Sequence, residues 1–321
     1  MSGPGQDVAS LPQPPVAEAR RGRGLHLPRF ALAIPAWLLF LFFFAVPVLW
    51  ILYYSFGYKP SFLSGQPIAT DQLSVSRYGE ALSGTFFLTF KNTFQISVIG
   101  TFLCLVIGFP FAYWLAVRVD PKWRGLLLGL VIVPFWTNFL VRTIGLRIWM
   151  GPQGPISGIL QDLGILGSPL DVLFTKFAVQ VGVVYNYLPL MILPIFVALD
   201  RLDPALREAS KDLGAGRFKT MRQVTVPLAM PGIIAGALLV FIPLTGDYIT
   251  ASVLGGAKGN MVGRMVADQF LTAQNWALGS AMAMVLIGMI LLAVGLFALI
   301  GLGLRALVQR KRRVVLAEVP A

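Results

Sequence analysis

Residues 30–56 contain no Asp, Glu, Lys or Arg, and nothing else in the chain limits its fold as strongly. A helix needs roughly 20 apolar residues to cross the hydrocarbon of a bilayer. This run exceeds that and can cross at a tilt. Including its core at about 30–54, apolar segments lie at about 86–117, 125–149, 173–199, 231–252 and 277–304. Lipid offers no partner to a free N–H or C=O, so each segment is expected to be a helix. The expected fold is an all-α membrane protein with six transmembrane helices.

Charge agrees with this. Of the 321 residues only 12% are charged, against about 25% in soluble proteins. The net charge is +12. In a soluble chain that excess would suggest nucleic acid. Here the cations fill short loops and tails between apolar spans, so no nucleic-acid partner is expected. Eighteen Lys and Arg fall on one set of segments: 20–29, 118–124, 201–222 and 305–313. The alternate loops hold six, while Arg142 and Arg147 fall within a span. The positive-inside bias predicts that both termini are cytoplasmic. The first apolar run is too long for a signal-peptide core of about 7–15 residues. The expected organisation is a disordered cytoplasmic leader over 1–29, a membrane domain over 30–304 and a basic cytoplasmic tail over 305–321. The single cysteine, Cys104, lies mid-span and permits no disulfide within the chain.

The cytoplasmic loop 200–227 is long for a compact membrane protein and carries charges of both signs. Asp203 suits a helix N-cap and Pro204 the first helical position. A short helix from there to Leu213 gathers Leu206, Ala209 and Leu213 on one face, with Arg207 and Lys211 outside it. Gly214 and Gly216 stop it. A second short amphipathic helix is expected over 217–224, broken by Pro227, with Pro231 opening the next span. Two roles suit such a segment. One is a connector whose basic residues hold anionic lipid headgroups. The other is a dock for a partner protein.

The order Glu208-Ala209-Ser210, Gly214 and Val224-Thr225-Val226-Pro227 resembles the EAA loop of ABC-importer permeases. That pattern is Glu-Ala-Ala, three residues, Gly, nine residues, then Ile-any-Leu-Pro. The spacing here agrees throughout, with Ser210, Val224 and Val226 as conservative replacements. The resemblance implies a type I ABC-importer fold. It also implies that Glu208, Ala209, Gly214, Val224 and Pro227 couple the chain to an ATPase.

Three further stretches resemble permeases for spermidine and putrescine, of the first-subunit type. They are 134–143 (PFWTNFLVRT), 246–256 (GDYITASVLGG) and 275–284 (NWALGSAMAM). After Thr143 the family shows an aromatic and then Ala-Trp, whereas this chain has Ile144, Gly145, Leu146 and Arg147. The resemblance implies a polyamine importer of the inner membrane. Its implied partners are a second permease subunit in a heterodimer, an ATP-binding subunit dimer, an external substrate-binding protein and membrane lipid. No cofactor is expected in this chain, since ATP would be used by the partner.

A polyamine path needs carboxylates for ammonium groups and aromatic faces for cation–π contact. Asp247, Tyr248, Trp136, Asn138 and Tyr185 are the candidates. A charge within a span is costly, so Asp247 needs a reason. It either contacts substrate or pairs with Arg142 or Arg147. Trp136, Tyr185 and Tyr187 also suit packing or the interfacial belt. Asn138 and Asn186 suit hydrogen bonds between helices, and Gly232 with Gly236 suits close helix approach.

There is no phosphate loop of the form Gly-x-x-x-x-Gly-Lys-Ser/Thr. His26 is the one histidine, so neither a metal site nor an enzyme is expected. The rival readings are a permease for ferric iron, thiamine or an oxyanion, and a stand-alone secondary carrier. The carrier would show inverted repeats, and the two halves show no convincing repeat.

Overall fold

The computed structural model describes residues 33–60 and 65–317. The expected leader over 1–29 lies outside them. The helices in chain order are α1 (Ile34–Tyr54), α2 (Ser76–Ala81), α3 (Gly84–Val117), α4 (Pro121–Ile132), α5 (Phe139–Met150), α6 (Pro155–Asp162), α7 (Lys176–Asp200), α8 (Ala205–Asp212), α9 (Arg217–Thr245), α10 (Val262–Leu271) and α11 (Trp276–Ala317). No β-strand occurs among the described residues. The basic segment from 305 continues α11 as far as Ala317.

Five helices are long and apolar enough to cross a membrane: α1, residues 86–117 of α3, α7, α9 and residues 276–299 of α11. The expected third span is not one helix. Its axis turns by 93° between Pro121–Trp136 and Phe139–Asp162, and the count reaches six only if this bent pair is one span. The cause is local. Val133–Trp136 tightens into a 3-10 turn containing Pro134, and Thr137 and Asn138 are extended. The backbone groups freed there find partners nearby. Asn138 Oδ1 accepts from the N–H groups of Leu140 at 2.8 Å and Val141 at 3.4 Å. Pro134 O accepts from Thr137 Oγ1 and Arg142 Nη1, both at 2.7 Å. Membrane-embedded backbone can leave the helix only on such terms.

The fifth span also departs from expectation at both ends. Residues 217–245 run as one helix, so Pro227 does not break it and Pro231 does not open it. A π turn at Met221–Thr225 precedes Pro227, with the Val226 N–H donating to Met221 O. Proline in a regular helix loses one hydrogen bond and clashes with the carbonyl a turn earlier. The wider turn relieves that conflict. At the other end the helix stops at Thr245. Asp247 therefore lies in a break beyond the helix rather than within a span.

Two compact units divide at Val48, and the second holds the main core. In it, α3, α7 and α9 pack around Cys104, Leu115, Val183, Met191, Ile195 and Val240. The α7–α9 contact is close enough to require glycine. A Cβ on Gly232 would lie 2.5 Å from both Pro194 O and Ala198 Cβ. One on Gly236 would lie 3.0 Å from Met191 Sδ. Small residues spaced by four thus let the two backbones meet. A smaller cluster joins α2, α3, α10 and α11 through Ala81, Phe90, Val262, Leu278, Met282 and Leu286.

Candidate functional site

Two regions hold the candidate residues. The first is the loop between α7 and α9. Asp203 Oδ1 accepts from the Ala205 N–H at 2.9 Å and starts α8. The helix ends through Leu213 N–H to Ala209 O at 3.1 Å and Gly214 N–H to Lys211 O at 2.8 Å. Gly214 has φ +78°, a left-handed conformation that side chains disfavour. Ser210 Oγ and Thr220 Oγ1 lie 3.1 Å apart and tie α8 to the first turn of α9.

The orientation of α8 is inverted relative to a helix that rests on a core. Pro204, Arg207, Glu208 and Lys211 fall on one side and line an inner cleft. Leu206 and Leu213 point away, 47% and 89% exposed, and Phe218 at the start of α9 is 79% exposed. Ala209 is exposed as well. Apolar side chains displayed together at a loop signal a missing partner. Val224 lies within the π turn and Pro227 just after it, both half-buried.

The second region is where the two helix breaks face α7. Arg142, one turn into α5, is buried. Its Nε donates to Asn186 Oδ1 at 2.8 Å, and Asn186 Nδ2 donates to Thr143 Oγ1 at 3.1 Å. The guanidinium lies 5.0 Å from the Phe135 ring centroid and 5.6 Å from that of Phe139. Asp247 is buried across from this group. Its Oδ1 accepts from the Thr250 N–H at 2.9 Å and so caps the short helix that follows. Its Oδ2 is buried without a hydrogen bond of good geometry. Tyr187, on α7, lies near both Asp247 and Arg142, and Tyr185 lies near Arg142.

The ion pairing proposed for Asp247 is absent. Among the described residues the ion pairs are Arg77–Glu80, Lys122–Asp120, Arg124–Asp200 and Arg264–Asp268. Arg142 instead donates hydrogen bonds to an amide and a carbonyl oxygen. Arg147 is exposed and lies 5.3 Å from the Phe174 ring centroid. The other candidates divide. Trp136 is 86% exposed at the first break, and Tyr248 and Tyr185 are about half exposed. Asn138 is committed to capping α5. Asn186 makes the expected hydrogen bonds between helices, whereas the part of Arg142 in holding the first break was not foreseen. The available signal was the arginine itself, since a cation within a span must bring its partners.

Residues 108–314 match the model of the family described as "Binding-protein-dependent transport system inner membrane component". The chain belongs to this family. It is 40% identical over 248 residues to the spermidine/putrescine transport system permease protein PotB of Haemophilus influenzae, covering 77% of this chain and 84% of that one. It is 39% identical over 213 residues to PotB of Escherichia coli strain K12, covering 66% and 77%. Among solved structures, one matches with a TM-score of 0.64 at 15% identity, covering 84% of this chain and 91% of that one. That structure is a bacterial alginate ABC transporter in complex with an alginate pentasaccharide-bound periplasmic protein. At that identity the match speaks for the fold alone, an ABC-importer permease. The chain is thus a multi-pass permease of the inner membrane, and the relatives are transport proteins rather than enzymes.

Proposed function

We propose that this permease carries polyamines such as spermidine and putrescine and is driven by a separate ATPase docked on the 200–227 loop. The cargo assignment rests on the 40% identity to a permease named for those solutes. Asp247 fits it chemically. A buried carboxylate beside Tyr187, engaged by no cation among the described residues, suits an ammonium group. The motor assignment rests on the apolar side chains displayed by this loop, Leu206 and Leu213 of α8 and Phe218 at the start of α9, which suit a groove. Gly214 makes the turn of that segment, and Glu208 would supply polar contacts within or across the joint.

In this reading the loop lies in the cytoplasm and both termini are on that side. The partners are a second permease subunit, an ATPase dimer and an external binding protein. ATP is used by the partner, and this chain takes no cofactor. One observation favours a second reading. Arg147 is exposed over Phe174, which suits an oxyanion better than a polycation. The test is uptake into cells that lack other polyamine importers. ATP-dependent uptake of labelled spermidine, with an ATP-binding subunit co-purifying, supports the polyamine reading. Uptake of molybdate or sulfate alone replaces the cargo, and uptake after ATP depletion removes the motor.

A further inference from the structure

The inner side of α8 faces a cleft of about 650 Å³ against the ends of α3 and α4. Arg118, Arg124, Arg207, Lys211 and Arg217 line it, with Glu208 the one acidic residue among the lining. Arg124 is already engaged, with Nη1 on Asp200 at 2.6 Å and Nε on Val119 O at 3.0 Å. The rest are not. Nη1 of Arg207 is buried without a hydrogen-bond partner. Arg118, Lys211 and Arg217 form no ion pair among the described residues. Like charges held together repel unless a counter-charge enters. An arginine nitrogen out of contact with water costs free energy unless an acceptor meets it. The lining therefore suits an anion.

Depth indicates which anion. Arg118 caps the C-terminus of α3, a spanning helix, and Arg124 is in the first turns of α4. Arg118 and Arg124 thus sit where the chain leaves hydrocarbon, near the level of lipid phosphates, and the loop cations face them across the cleft. Tyr113 and Val117, one turn apart on α3, and Met221 supply an apolar wall beside them. We propose that the cleft binds the phosphate group of an anionic phospholipid, held by Arg118, Arg207, Lys211 and Arg217 behind the coupling loop. Arginine matches a phosphate through paired N–H donors. The two roles open to this loop then fall on opposite sides of α8, lipid on the basic side and protein on the apolar one. This inference does not depend on the cargo.

The test uses the full chain, purified with its transporter partners in mixed phosphatidylglycerol and phosphatidylethanolamine and then exchanged into lipid-free detergent. Native mass spectrometry counts the phospholipid retained. The wild type is expected to keep phosphatidylglycerol, and R118Q/R207Q to lose about tenfold of it. R118K/R207K, which preserves the charge, should keep most of it. Should the double glutamine variant fail to fold, Arg118→Gln alone, at an exposed position, should lose about twofold or more. A second arm adds inorganic phosphate. Phosphate bound by the wild type and not by R118Q/R207Q, with no lipid retained, upholds the phosphate site and makes free phosphate its source. Equal lipid retention in wild type and R118Q/R207Q, with no phosphate bound, overturns the proposal. So does cross-linking of Cys placed at 118 to an acidic segment of the ATPase in place of retained lipid.

Discussion

Arg142 Nε donates to Asn186 Oδ1 at 2.8 Å, and this bond joins the broken third span to α7. The same guanidinium donates to Pro134 O on the far side of the break. One side chain thus closes a gap in the helix and anchors it to the core.

Asn186→Ala removes an acceptor from a buried cation. Hydrogen bonds to charged groups contribute about 1.5–3 kcal/mol. A stability loss of about 2 kcal/mol is expected, read as a lower midpoint in thermal unfolding of the detergent-solubilised protein. The pair R142M/N186L leaves no buried cation and should lose less than the sum of its single changes. Full additivity would mean that the two side chains are not coupled.

Gly214→Val forces a β-branched residue into φ +78°. That conformation costs roughly 1–2 kcal/mol for an ordinary L-residue. Nothing lies within 4 Å of the position a Cβ would take, so the penalty is backbone strain alone. Membrane insertion should be normal, and co-purification of the ATPase should fall. Gly214→Asn should keep most of it, because asparagine tolerates the left-handed region. Equal capture of the ATPase by Gly214→Val and wild type would count against the coupling role.

Gly232→Ala should destabilise more than Gly236→Ala. At 232 the new methyl meets a backbone carbonyl, Pro194 O, at 2.5 Å. At 236 its nearest contacts are the Met191 sulfur at 3.0 Å and the Met191 carbonyl at 3.1 Å, each less severe than the 2.5 Å clash at 232. Overpacking costs about 1–3 kcal/mol, so Gly232→Ala should fall in the upper part of that range. Unfolding midpoints of the two variants under one detergent check the order.

Asp247→Asn keeps an oxygen to cap Thr250 and removes the charge. The fold should survive, with elution and melting near wild type. Loss of a charge-assisted contact of about 1.5–3 kcal/mol lowers spermidine uptake by about tenfold or more. Unchanged uptake would take Asp247 out of the path.

The spans were legible because hydrocarbon imposes one simple demand, an apolar helix of fixed length. The breaks were harder to read. Residues 125–149 look continuous because Thr137 and Asn138 are small and uncharged, and the bend follows from a 3-10 turn and a cap that hydropathy does not register. Pro227 misled in the opposite direction. A proline reads as a stop, yet the π turn before it lets the helix continue. The short helix α8 and its glycine stop were legible from Asp203, Pro204 and Gly214, whereas the side of α8 that faces inward was not. Periodicity groups Leu206 with Leu213 but cannot say which face the rest of the chain covers. Asp247 stood out as a carboxylate in apolar surroundings. Its capping bond to Thr250 and its distance from any ion pair depend on where α9 stops.

The outward face of α8 also bears on how cells handle this protein. Leu213 and Phe218 are among the most exposed large apolar side chains of the loop. A copy made in excess of its partners keeps that surface bare, and a bare apolar surface attracts chaperones, proteases and other copies. If the 200–227 loop docks an ATPase as proposed, its bare apolar side chains mark incomplete assembly and are covered only when the subunit is matched.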